Sequence, residues 1–174
     1  MLTTIVVPTD GSDHADKAVD LAADIAEKYG SRIVLLHVLL HAEAPSDLKH
    51  MAEVEHLLKA ESAGVGGAPG SRDPETFVMS AAGERPLPVW TLERIGQQIL
   101  GRAETRLREA GVSEVATRLR SGDAASCILE VAKEEQANLI VIGSRGLGRL
   151  RALLVGSVSQ KVAQLAPCTC MTVR

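Results

Sequence analysis

The sequence predicts an α/β protein built on an open five-stranded parallel sheet, strand order 3-2-1-4-5, with helices on both faces. Three observations carry this expectation. Short runs rich in β-branched residues alternate with longer stretches whose apolar residues recur at helical spacing. One run, RIVLLHVLL at 32–40, is apolar nearly throughout, as a strand covered on both faces must be. Parallel strands joined by helices need right-handed crossovers, which lay those helices on both sides of the sheet.

The first strand is read at Leu2 to Thr9, bounded by Pro8 and Asp10-Gly11. Ala15, Ala18, Val19, Ala22, Ile25, Ala26 and Tyr29 then repeat at helical spacing, with Ser12 or Asp13 to cap the helix and Gly30 to close it. After the strand at 32–40, Ser46–Glu61 and Thr91–Ala110 both read as helix, the second closed by Gly111. Val112–Arg120 alternates as a third strand, Ala124–Gln136 is helical and Asn138–Ile142 is a fourth strand. Ser157–Leu165 is a helix opened by a capping box, Ser157-x-x-Gln160, and Thr169–Val173 is the fifth strand. Residues 63–90 break the pattern: they hold four of the seven prolines and five of the fifteen glycines, and read as a long flexible insertion in a single domain spanning 1–174.

Composition narrows the function. A chain of 174 residues that is 45% hydrophobic has ample core for one domain. Its charge of −3 argues against a polybasic nucleic-acid or membrane surface, and 2% aromatics are too few for base-stacking platforms. The start, MLTTIVVPTDGSDH, lacks a basic n-region and a long apolar run, so neither a signal peptide nor a membrane span is expected. The three cysteines, Cys127, Cys168 and Cys170, make a disulfide framework improbable and suggest a cytoplasmic protein. Cys168 and Cys170, two apart on a strand, lie roughly 7 Å apart on one face, too far for an unstrained bridge, and read as packing.

In an open parallel sheet, ligands sit beyond the C-terminal strand ends, where the strand order reverses. After the fourth strand comes Gly143-Ser144-Arg145-Gly146-Leu147-Gly148-Arg149, leading to Gly156-Ser157 and a helix. Glycines let backbone N–H groups turn toward an anion, and the helix N-terminus adds unsatisfied donors and a favourable dipole. Ser157 offers a hydroxyl, and Arg145 and Arg149 offer charge. The pattern is a phosphate cradle. It is neither a Walker loop, since no G-x-x-x-x-G-K-[ST] occurs, nor a dinucleotide fingerprint, since Arg151 stands where the third glycine belongs.

Gly143-x-x-Gly146, nine residues, then Gly156-Ser157 resembles the signature of the ATP-binding branch of the universal stress protein family. IVVPTDGSDHADKA at the start, LLHV in the second strand and RSGDAASCIL resemble the family's other landmarks, in the family's order. The resemblance implies a Rossmann-like sheet and an adenine nucleotide ligand, ATP with Mg2+. It places Asp10, with Pro8 and Thr9, beside the ribose and phosphates. Val38 would recognise adenine through its main chain, and Gly122 would lie near the base. Gly143, Ser144, Arg145, Gly146, Gly156, Ser157, Val158 and Ser159 would form the phosphate and ribose loop. The long 63–90 insertion and the Cys-Thr-Cys ending depart from the family pattern.

Each of these residues also has a plainer reading. Asp10 or Ser12 caps a helix, and His37 is a packed strand residue. His50, Glu53 and His56 form a solvated helix face, since two histidines six apart point in different directions. Arg102, Arg106 and Arg108 with Glu104 and Glu109 read as an exposed helix face laced with ion pairs. The function expected is regulatory: nucleotide binding that governs contacts with an unidentified protein partner, in stress or metabolic adaptation. Slow ATP hydrolysis, and cyclic AMP as ligand, are the alternatives; an interaction module that binds no ATP is disfavoured by the intact glycine spacing. A homodimer is expected through Thr169–Val173, whose place at the sheet edge leaves N–H and C=O groups to pair with a second copy.

Overall fold

Strand and helix alternate through residues 1–39, 89–147 and 156–174, the residues that the computed structural model describes. In chain order they are β1 (Thr4–Pro8), α1 (Asp13–Tyr29), β2 (Arg32–Leu39), α2 (Val89–Glu109), β3 (Val115–Ser121), α3 (Ala124–Glu134), β4 (Leu139–Gly143), α4 (Ser157–Leu165) and β5 (Thr169–Val173). All neighbouring strands are parallel and the order is β3-β2-β1-β4-β5, as the sequence predicts. Val6 at the centre stands opposite Val34 on one side and Ile140 on the other.

Strand periodicity divides the core in two. Ile5, Val7, Ile33, Leu35 and Val141 pack against α1 and α2, while Val6, Val34, Leu36 and Ile140 pack against α3 and α4. Each such side chain, fully removed from water, contributes about 1.5–3 kcal/mol. A stripe of alanines, Ala15, Ala18, Ala22 and Ala26, is buried along α1. Side chains this small let the helix backbone settle close to the sheet. Glu135, just past α3, takes Arg32 at 3.0 Å and Arg118 at 2.6 Å, tying the start of β2 and the middle of β3 to the helix layer.

The structure corrects several sequence expectations. β3 begins at Val115, not Val112, because Val112 N–H bonds Leu107 O and Gly111 N–H bonds Arg108 O. That pair of bonds is a Schellman closure of α2, and it turns the chain before the strand starts. The same closure ends α3 early: Gln136 N–H bonds Lys133 O and Ala137 N–H bonds Ala132 O, with Gln136 in the left-handed region at φ 50°. α2 starts at Val89, so Val89 and Trp90 belong to it and not to the expected insertion. The rest of that insertion, the expected helix 46–61 with His50, Glu53 and His56, and Arg149 lie outside the described residues.

The capping box at Ser157 is not formed. Gly156 is the N-cap of α4, and no side chain caps it. On α2, Arg108 pairs with Glu104 at 2.7 Å as expected, but Arg106 reaches across to Asp16 and Asp20 of α1. Cys127, Cys168 and Cys170 are free thiols, and the last two are half-buried against the α3–α4 layer. No helix among the described residues is long and apolar enough to cross a membrane.

Candidate functional site

The chain leaves β1 toward α1 on one face and leaves β4 toward α4 on the other, so the two adjacent strands part at their C-terminal ends. On the β1 side, Thr9 N–H continues the ladder to Leu36 O at 2.8 Å. Thr9 Oγ1 accepts Gly11 N–H at 3.3 Å and Thr9 O accepts His37 Nδ1–H at 2.8 Å. Asp10 follows, its carboxylate shared: Oδ1 accepts Ser12 N–H at 3.1 Å and Oδ2 accepts Leu147 N–H at 2.9 Å. A Cβ on Gly146 would overlap this carboxylate. Ser12 Oγ caps α1 by accepting Ala15 N–H at 3.4 Å, and its own proton points to Arg145 O at 3.5 Å.

On the β4 side, Gly143 lies against the first turn of α1. A Cβ there would stand 2.8 Å from His14 C and 2.9 Å from Ala15 N, so the glycine is demanded by helix–strand contact. Ser144 is buried: its N–H bonds Val173 O at 2.6 Å and its Oγ lies 3.3 Å from His14 Nδ1. Ser144 O accepts Gly156 N–H at 2.6 Å and the Ser159 hydroxyl at 3.0 Å. These bonds bring the end of β4 and the start of α4 together, leaving Ser157 exposed and Val158 half-buried in the first helical turn. Arg145 Nε is buried without a partner.

The remaining predicted residues lie across β1. Val38, half-buried near the end of β2, stands opposite Arg120 of β3, and Gly122 N–H bonds Leu39 O at 3.2 Å. Next to Gly122, Asp123 caps α3 through Ser126 and receives Lys161 Nζ of α4 at 3.0 Å. Hydrogen bonds from the Ser126 hydroxyl first, then from Lys161 and the Ser126 N–H, lower its carboxyl pKa from 3.8 to about 2. A carboxyl with a depressed folded-state pKa contributes stability above its unfolded pKa and loses it as pH falls through the folded one. The Asp123 carboxyl resonance should therefore titrate near pH 2, and Lys161→Met should move the midpoint toward 3.8. A midpoint unchanged by Lys161→Met would show that the lysine contact is absent in solution.

The structure thus joins Asp10, directly after Pro8 and Thr9, to the 143–147 loop through Leu147 N–H, and brings Gly122 to Leu39, the residue after Val38, on adjacent strand ends. Ser159 turns its hydroxyl inward, closing the loop, and Gly143 packs α1. Three participants escaped the sequence reading: the Leu147 N–H on Asp10, the His14 ring on Ser144, and His37 on Thr9. Only His37 leaves a sequence trace, as the one polar residue between Ile33 and Leu40. No cluster of three or more metal-ligating side chains occurs among the described residues.

A model of the universal stress protein family matches residues 1–174. The chain belongs to this family. Universal stress protein YxiE of Bacillus subtilis is 31% identical to it over 174 residues, the full length of both. The solved structure of a universal stress protein in complex with cAMP superposes with a TM-score of 0.60 at 23% identity, covering 99% of this chain and 97% of the other. A universal stress protein from Archaeoglobus fulgidus, solved in complex with dAMP, gives a TM-score of 0.59 at 20% identity over 100% of both chains. The fold of this universal stress protein is therefore that of its relatives.

Proposed function

We propose that this universal stress protein is a regulatory nucleotide-binding protein that holds ATP with Mg2+ at the parting of β1 and β4 and acts in stress or metabolic adaptation through contacts with a protein partner. One observation carries the reading: at this end of the sheet the N-termini of α1 and α3 are capped by side chains and that of α4 is not. Its N-cap is Gly156, so the first-turn N–H groups, including those of Ser157 and Val158, keep donors for a phosphate. Gly146 and Arg145 line the approach, and Val38 and Gly122 leave main chain at the far end for a base. Asp10 fits a cation partner, since Mg2+ is held through one or two carboxylates together with the phosphates. The relatives solved with cAMP and dAMP support an adenine ligand and leave cyclic AMP as the competing one. Mass spectrometry of nucleotide released from freshly purified protein decides between them: ATP is expected, and cAMP alone would replace this reading with the second.

A homodimer through β5 belongs to the same proposal. β5 is the edge strand, with Met171 38% exposed. Antiparallel pairing with a second copy would satisfy the open edge. Val173 O accepts Ser144 N–H on the β4 side, so by strand alternation Met171 N–H also faces β4 and Thr172 N–H faces the open edge. Thr172→Pro removes that outward donor, and light scattering should show a dimer in the wild type that weakens in this variant. A monomeric wild type at tens of micromolar would defeat the dimer; a dimer indifferent to the proline would place its interface elsewhere.

A further inference from the structure

His37 stands in β2 with 5% of its surface exposed, inside a strand whose neighbours are aliphatic. A carbonyl oxygen only accepts, so the 2.8 Å contact between His37 Nδ1 and Thr9 O requires the proton on Nδ1. The ring is held in place from the other side by α2: a Cβ on Gly96 would come within 2.8 Å of His37 Cδ2 and 2.8 Å of Leu119 Cδ1. Glycine at that helix position makes room for the imidazole.

The carbonyl that His37 grips is half of the Thr9–Asp10 peptide. Because the peptide is planar and trans, fixing its oxygen fixes where Asp10 N–H points and where Asp10 Cα lies, the point from which the side chain sets out. That side chain then receives Ser12 N–H at 3.1 Å and Leu147 N–H at 2.9 Å, one from each loop of the candidate site. We infer that His37 is a positioning residue for nucleotide binding: its Nδ1–H sets the Thr9–Asp10 peptide and thereby aims the Asp10 carboxylate between the two loops, an inference that rests on the site assignment above. Burial lowers the pKa of the ring, against the raising effects of the Thr9 bond and the Asp10 charge. The ring is accordingly neutral at pH 7, with its single N–H on Nδ1.

The test separates the donor from the bulk. Asn at position 37 places an amide N–H near Nδ1 but leaves a void, whereas Phe fills the ring volume and has no donor. Calorimetry with Mg-ATP and thermal melts are run on the wild type, His37→Asn and His37→Phe. His37→Asn should bind within about threefold of the wild type, and His37→Phe at least tenfold more weakly, although the Phe variant melts no lower than the Asn variant. A Phe variant that binds as the wild type does, or affinities that simply follow melting temperature, would overturn the inference. So would nitrogen NMR of the wild type showing a neutral ring protonated on Nε2. If the wild type binds no adenine nucleotide, the site assignment fails and amide exchange decides the positioning claim. Ser12 and Leu147 amides should then exchange at least tenfold faster in His37→Phe than in His37→Asn, and equal rates would refute it.

Discussion

Gly156→Val should lower ATP affinity at least thirtyfold, a loss of about 2 kcal/mol. The substitution adds bulk at a close approach: a Cβ on Gly156 would already lie 3.2 Å from Ser144 O and 3.6 Å from the Ser159 hydroxyl. The valine methyls extend further, either into the loop closure that Ser144 O organises or across the open N–H groups of α4. Backbone strain is not the cause, because Gly156 sits at φ −74° and ψ 153°, which valine adopts readily. Valine is a poorer N-cap than glycine, so a modest drop in stability should accompany the loss. Gly156→Ala, with only the Cβ, should fall between the two. Calorimetry on folded Gly156→Val that returns the wild-type affinity would remove the α4 terminus from the site.

The second large effect is on stability. Gly143→Ala should cost about 1–3 kcal/mol, the range for overpacking a close-packed interior. The atoms that its Cβ would meet are His14 C, His14 O and Ala15 N, at 2.8 to 2.9 Å, all of them backbone. No rotamer change relieves such a contact; α1 must move off β4. For a chain of this length each kcal/mol lowers the melting temperature by about 2–4 °C, so a fall of about 2–12 °C is expected. Ala15→Gly should not rescue it, because the obstructing atoms of residue 15 are main chain. A Gly143→Ala protein that melts with the wild type would show that the contact between α1 and β4 is looser in solution.

Gly143 illustrates what the sequence made legible and what it hid. Its place after an apolar run and before Gly146 and Gly156 put it at the turn out of the fourth strand, and the family resemblance assigned it to the phosphate and ribose loop; what the sequence hid is that its immediate neighbour is a helix more than a hundred residues away in the chain. The sheet order was readable because RIVLLHVLL and NLIVI announce strands buried on both faces, and because helical spacing between them dictates parallel crossovers. Helix ends were harder. Ser157-x-x-Gln160 matches a capping box, yet Gly156 takes the N-cap because its N–H is drawn to Ser144 O. Arg106 has Glu109 at i+3 on its own helix, yet its guanidinium takes Asp16 and Asp20 of α1. His37 read as a packed residue, and it is packed. Its bond to Thr9 O joins two strands, a contact that no local pattern records.

A titration of isotope-labelled protein with Mg-ATP, followed through backbone amide resonances, tests the central claim most directly. The account predicts saturable shifts concentrated at Val38, Gly122, Leu147, Ser157 and Val158, with α2 beyond Ile99 and the N-terminal ends of the strands unmoved. Amides that stay put at millimolar Mg-ATP, or that move only away from the C-terminal ends of β1, β2 and β4, would contradict it.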